Sequence, residues 1–310
     1  VADPARHLPP AGRHGRHGSR GLLAAGPLQD TLGIAFGNAN LAQVSTVPES
    51  LPFANRPTET APGHWVLARA GKRVLRPGGL GLTRAMLGRC SLGDKDVVEL
   101  APGLGRTAKE ILLAAPRSYT GVDSDATAVA RVNEVVKSAG GSCRQGDAAK
   151  TGLDDACADA VVGEAMLTMQ SPRGKAEIVA EVVRILRPGG IYAIHELGLA
   201  PDDIDPEIGS EISKALARSI HVNARPMTLA QWSELLTDHG LVIEWTSTAP
   251  MALLKLGRNI ADEGITGVLR MAKNLITQPD LRRRVMSMRR TFTKYESSMR
   301  GVALVARKPL

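Results

Sequence analysis

The chain is poor in aromatic side chains: three Phe, three Tyr and three Trp make up 3% of its 310 residues. Proteins that stack bases on aromatic platforms need more, which argues against nucleic acid as a partner. Cysteine is as scarce. Cys90, Cys143 and Cys157 are odd in number and scattered, giving neither a zinc spacing nor a disulfide framework. A reducing, cytoplasmic setting is the expectation. No metal-ligand set is visible, and no apolar run approaches the roughly 20 residues that cross a bilayer. What is there is ordinary globular material. Hydrophobic residues make up 43% of a chain long enough for one elaborated domain or two small ones.

The net charge of +8 is unevenly placed. Between Met251 and Arg300, eleven Lys/Arg stand against four Asp/Glu, so this segment alone carries +7. Its basic residues alternate with Leu, Met and Ile. Such a pattern either packs its apolar stripe into a core or lies on a membrane surface. Residues Val1 to Arg20 are rich in Gly, Pro, His and Arg and lack the apolar core of a signal peptide. A solvated tail is expected there. An extended lead-in punctuated by prolines follows.

From Val97 onward, apolar runs alternate with amphipathic stretches, the pattern of a parallel sheet with crossover helices. The run Val97-Val98-Glu99-Leu100 enters a turn, Ala101-Pro102-Gly103-Leu104-Gly105, and a helix is predicted over Arg106–Ala115. Gly103 and Gly105 let backbone approach a ligand where a Cβ would clash, and the helix start offers free N–H groups. A second run ends in Asp123, a third segment in Gly146-Asp147-Ala148, and a fourth in Glu164. A helix predicted over Arg173–Leu186 stops at Arg187-Pro188-Gly189-Gly190, and a fifth run ends in His195-Glu196. Further helices are predicted over Trp65–Leu75, Leu80–Leu87, Ala126–Ser138 and Leu229–His239, the last with a capping box of Thr228 and Gln231. The remaining strands are predicted over Leu241–Trp245 and Gly301–Ala306.

The order of these parts resembles a class I S-adenosylmethionine (SAM) dependent methyltransferase, most of all the small-molecule type 11 group. The resemblance covers about Val97 to Leu197. One departure is Ala101, where the family usually has a third glycine. The resemblance implies a three-layer α/β sandwich with a mainly parallel seven-stranded sheet, residues 94–310. Residues 21–93 would contribute the lead-in and helices over the cofactor site. Helical additions are expected at about 202–225 and 251–295, over the substrate side or in a subunit contact such as a homodimer. It also implies SAM as cofactor, S-adenosylhomocysteine as product and a small-molecule methyl acceptor. A macromolecular methyltransferase, a non-catalytic SAM-binding regulator and an NAD-type oxidoreductase using the same glycine turn are the alternatives. Gly-Glu-Ala-Met at 163–166 replaces the Asn/Asp-Pro-Pro-aromatic element of many base- and protein-amine methyltransferases, which opposes the first.

The candidate site follows from strand ends. Asp123 offers two oxygens to two ribose hydroxyls; capping the next helix is the other use of such an acid, one that Ser124 or Asp125 already fills. Asp147 can accept from an adenine amine while the Ala148 N–H donates to a ring nitrogen; a plain turn after Gly146 is the alternative. In similar enzymes the acid at Glu99 orients the turn and the methionine amine. One of Lys72, Arg73 and Arg76 could meet the methionine carboxylate. Glu164 is a candidate cofactor or catalytic contact, and His195 a candidate base. Glu196, His221, Asn223 and Arg225 are further candidate substrate contacts.

Overall fold

Apolar runs bounded by turn residues become the strands of one sheet, with helices returning the chain to its starting edge. The structure is a computed structural model and describes residues 57–251, 253–254 and 256–310. The tail expected over 1–20 and the lead-in up to residue 56 lie outside the described residues. Two helices come first, α1 (Gly63–Ala70) and α2 (Gly79–Leu87). The predicted helix from Trp65 stops at Ala70 rather than Leu75. Gly71 adopts φ 103° there, and the Gly71 and Lys72 N–H groups close on the carbonyls of Ala68 and Leu67.

Strand β1 (Asp96–Leu100), helix α3 (Arg106–Leu112), β2 (Ser118–Asp123), α4 (Ala126–Val136), β3 (Ser142–Gln145), β4 (Ala158–Glu164), α5 (Pro172–Ile185) and β5 (Leu186–Leu199) form the parallel half. After β5 come α6 (Pro206–Ile220), β6 (Met227–Thr228), α7 (Leu229–Thr237), β7 (Val242–Pro250), α8 (Leu256–Thr277), α9 (Pro279–Lys294) and β8 (Met299–Arg307). The strand order is β3-β2-β1-β4-β5-β8-β7. That path is the expected mainly parallel seven-stranded sheet; the two-residue β6 adds an eighth strand beside β5. Strand β5 outruns its predicted end at Glu196 because Leu197–Leu199 pair with β8, and Gly198–Leu199 also with β6. The predicted capping box of α7 is formed by Thr228 and Gln231.

Two apolar layers cover the sheet. On one face α5 and α7 bring Ile178, Val182 and Trp232 against Val98, Val161 and Tyr192. On the other, α2, α3 and α4 bring Met86, Ile111 and Val132 against Val97, Val162 and Val305. A third cluster joins α1, α6 and α9 near the ends of β5 and β8. In α9 it consumes Leu281, Val285, Met288 and Phe292, leaving Arg282, Arg283, Arg289 and Arg290 in water. The apolar stripe of this basic helix is therefore core. No described helix is long and apolar enough to cross a membrane.

Helix α8 breaks at Gly264 (φ 72°, ψ 173°) and clasps the loop between α1 and α2. Lys72, 1% exposed, donates to Asn259 Oδ1 at 2.9 Å and lies 3.7 and 3.8 Å from Asp262 and Glu263. Glu263 Oε1 accepts from the Arg73 and Val74 N–H groups at 2.7 and 2.8 Å. Asp262 accepts from the Leu80 N–H at 3.1 Å.

Candidate functional site

The glycine turn after β1 is built from left-handed residues. Ala101, Gly103 and Gly105 have φ of 51°, 55° and 69°. A Cβ at Gly103 would meet nothing nearer than the Ala101 carbonyl oxygen at 3.9 Å, so open space faces this backbone. Ala101, the one of the three with a Cβ, adopts this conformation at a cost of roughly 1–2 kcal/mol. The turn lines a cleft of about 470 Å³ at the carboxyl ends of the parallel strands, where sheets of this kind bind ligands. That volume falls in the range of small-ligand sites.

Four acids reach the cleft from four strand ends: Glu99, Asp123, Asp147 and Glu164. Asp123 is 7% exposed; its Oδ2 accepts from the Gly103 N–H at 2.9 Å and its Oδ1 from the Asp125 N–H at 3.0 Å. Each oxygen keeps a lone pair for a ligand. Capping of α4 falls to Asp125, which accepts from Thr127 and Ala128, so Asp123 is free of that duty. Burial pushes the Asp123 carboxyl up. Asp147 is exposed and accepts from the Ala149 N–H at 2.8 Å; Ser124, Gly146 and Ala148 line the cleft beside these acids. Glu99 is 2% exposed, and the Tyr119 hydroxyl donates to it at 2.6 Å. Burial pushes Glu99 up to about 8 against that hydrogen bond.

Glu164 is the centre of a buried knot. Its carboxylate accepts from Arg76, from the Thr107 hydroxyl and, at 2.6 Å, from the Thr83 hydroxyl. His195 Nδ1 lies 2.9 Å from Oε1, the oxygen that Thr83 also reaches. Burial alone would push Glu164 up; Arg76, His195 and Thr107 overcome it and hold the carboxyl down at about 2. A carboxylate so stabilised is a poor proton acceptor, and it anchors the wall of the cleft that it lines. His195 belongs to the same knot. It is fully buried, does not line the cleft, and faces the Pro77 carbonyl with Nε2 and Glu164 with Nδ1. Neither nitrogen is free to take a substrate proton.

The remaining substrate candidates also lie elsewhere. Glu196 is fully buried and takes up the Met166, Leu167 and Thr168 N–H groups and the Thr168 hydroxyl, so it braces the loop after β4. Neighbouring strand residues face opposite sides of the sheet, so Glu196 and His195 serve different networks. His221, Asn223 and Arg225 are exposed and line no part of the cleft; His221 ends α6 and lies 3.0 Å from Arg284 Nη1.

Sequence reasoning passed over Thr83, Thr107 and His64, and left Arg76 undecided among three cations. Thr107 stands one residue inside the helix that follows the glycine turn, a readable signal. Thr83 and His64 carry none, because only the packing of α1 and α2 over the strand ends brings them here. The roof of the cleft is α1 and its following loop, through His64, Trp65, Arg73, Leu75 and Arg76.

The donor set fits SAM. Carboxylates suit its hydroxyls, amine and ammonium, guanidinium groups suit its carboxylate, and the open face of Gly103 leaves room for close approach. A family model described as "Methyltransferase domain" matches residues 98–194. An uncharacterized protein of Haemophilus influenzae is 30% identical over 251 residues, covering 79% of this chain and 98% of its own. The [4+2]-cyclase SpnF has a similar fold, with a TM-score of 0.60 at 18% identity, over 79% of this chain and 92% of that one. So does phosphoethanolamine N-methyltransferase 2 of Haemonchus contortus, solved with phosphomonomethylethanolamine and S-adenosylhomocysteine. Its TM-score is 0.59 at 16% identity, over 80% of this chain and 58% of that one. With the strand order, the glycine turn and the acids at the strand ends, these matches place the chain in the class I SAM-dependent methyltransferase family.

Proposed function

We propose that this protein transfers a methyl group from SAM to an oxygen or nitrogen of a small molecule. The observation that carries the reading is the roofed cleft: α1 and the loop after it cover the strand ends and leave space on the scale of a small ligand. When bound, SAM supplies a methyl already activated by its sulfonium. The chain's own residues bind, orient and exclude water. Asp123 would hold the ribose hydroxyls, Asp147 and the Ala148 N–H the adenine edge, Glu99 the amine, and Arg73 or Arg76 the carboxylate. Ser124 and the backbone of Ala101, Gly103, Gly105 and Gly146 shape the wall against the nucleoside. Alignment of this kind lowers a barrier by about 7–11 kcal/mol at best.

The test is calorimetric titration of the full chain with SAM, S-adenosylhomocysteine and NAD. Binding of the first two but not NAD is expected. Asp123→Ala should weaken S-adenosylhomocysteine by at least about 100-fold, since two charge-assisted hydrogen bonds of about 1.5–3 kcal/mol each are lost. Unchanged affinity would remove the ribose assignment. A screen of metabolite pools for label from methyl-labelled SAM then separates an enzyme from a binding protein without turnover. Label appearing only in protein or RNA would replace the small acceptor by a macromolecule.

A further inference from the structure

Behind the cleft lies a second cavity of about 80 Å³, walled by Leu67, Leu216, Met251, Leu253, Met288 and Phe292. The two spaces adjoin: His64, Leu75, Ala165 and Met169 line both. No Asp, Glu, Lys or Arg lines the inner one. Its polar groups are nearly all spent. The Thr168 hydroxyl donates to Glu196 at 2.7 Å, and the Pro77 carbonyl faces His195 Nε2. His64 is different. Its ring packs against Trp65 at 4.7 Å between centroids, and it has no hydrogen-bond partner among the described residues.

We propose that the inner cavity is the acceptor subsite, that it takes an uncharged molecule with a hydrocarbon body, and that His64 holds the polar head of that molecule at the junction with the cleft. This rests on the reading of the outer cleft as the SAM site. A charged body would lose its hydration without gaining a partner in this lining, which costs several kcal/mol. A neutral imidazole offers one donor and one acceptor, matching a hydroxyl or an amide-like N–H. Burial pulls His64 down to about 4, so the ring is neutral at physiological pH. Held there, the head group lies on the boundary between the two spaces, next to the cofactor side, while the apolar body fills the inner one. The acceptor class thus differs from the phosphorylated amine bound by the Haemonchus contortus enzyme.

The cavity carries its own reporters, the methyl groups of Met169, Met251 and Met288. Full-length protein labelled with 13C at the methionine methyls would be titrated with 1-hexanol, hexanoate, hexylammonium, glycerol and benzene, with S-adenosylhomocysteine present. 1-Hexanol and benzene should shift these three resonances saturably. Hexanoate and hexylammonium should bind at least tenfold more weakly, and glycerol should do nothing. Leu216→Trp, which fills the cavity, should abolish the shifts. His64→Phe should weaken 1-hexanol about fivefold, the value of one hydrogen bond, and leave benzene within twofold. Equal binding of hexanoate and 1-hexanol, unmoved methionines, or an equal loss of benzene and 1-hexanol in His64→Phe would overturn the subsite. Calorimetry of S-adenosylhomocysteine on the same sample distinguishes the two readings. Methionine shifts without S-adenosylhomocysteine binding would sink the cofactor assignment and spare the cavity.

Discussion

At the scale of the residue, the buried ion pair of Arg76 and Glu164 sets the strongest prediction. Both side chains are below a tenth exposed, so removing one partner strands the other's charge away from water. Arg76→Met should cost about 3–5 kcal/mol of unfolding free energy, and Glu164→Gln in the same chain should restore much of it. Urea unfolding of the two singles and the double variant measures this. An additive double mutant would mean the charges do not act as a pair. Glu99 gives a prediction in pH. Its folded-state value, raised to about 8 by burial, means that its contribution to stability is full below the ordinary carboxyl range and is lost as pH rises through about 8. Unfolding at pH 5, 7 and 9 should show that decline in the wild type and a flatter profile in Glu99→Gln, a difference on the order of a few kcal/mol. If the amine of SAM meets Glu99, S-adenosylhomocysteine binding near pH 7 should also release a proton. Titration in buffers of different ionisation enthalpy counts it, and the Gln variant should release none. Glu164 runs the opposite way: its stabilising share is present above the ordinary carboxyl range and lost as pH falls through about 2.

Residues at strand ends are legible in the sequence because a parallel sheet delivers them to one edge by register alone. Glu99, Asp123, Asp147 and Glu164 all reach the cleft for that reason. His195 also stands at that edge, paired in register with Glu164 on the neighbouring strand. Its partners are Pro77, Thr83 and Glu164, all remote in the chain, and no local pattern announces them. The same holds for His221, Asn223 and Arg225. Their clustering in sequence is a property of a loop, in which these three side chains are exposed while Ala224 between them is buried.

At the scale of the element, strand and helix placement is readable to within a few residues wherever periodicity and a cap agree, as at α5 and α7. It fails where a tertiary partner extends or ends an element. Strand β5 continues because β8 offers it a ladder, and α1 ends early because Gly71 turns left-handed. The additions are visible in the sequence only as surplus length. Their work is in the clasp of α8 on the loop that roofs the cleft. Glu263→Ala should free the Arg73 and Val74 N–H groups, speed hydrogen exchange at both by at least tenfold, and cost about 1–3 kcal/mol. Protection unchanged at these amides would show that the roof does not depend on α8.

At the scale of the molecule, ligand and fold are linked. A compound that binds only the folded state at 100 times its dissociation constant adds about 2.7 kcal/mol. For a domain of this size that corresponds to a rise in Tm of roughly 5 °C. S-adenosylhomocysteine should produce it and NAD should not, by differential scanning calorimetry. Strand β8 bears on the whole molecule in another way. It follows every other described strand in sequence, yet it lies inside the sheet, with nine residues in register against β5 and β7 on its other side. A ribosome therefore exposes the other described strands before the middle of the sheet can close. Until residue 307 is free, β5 and β7 both present open ladders, the kind of edge that recruits other chains. A premature stop codon just ahead of Met299 would leave that state permanent, and the product should be met by chaperones and proteases rather than by substrate.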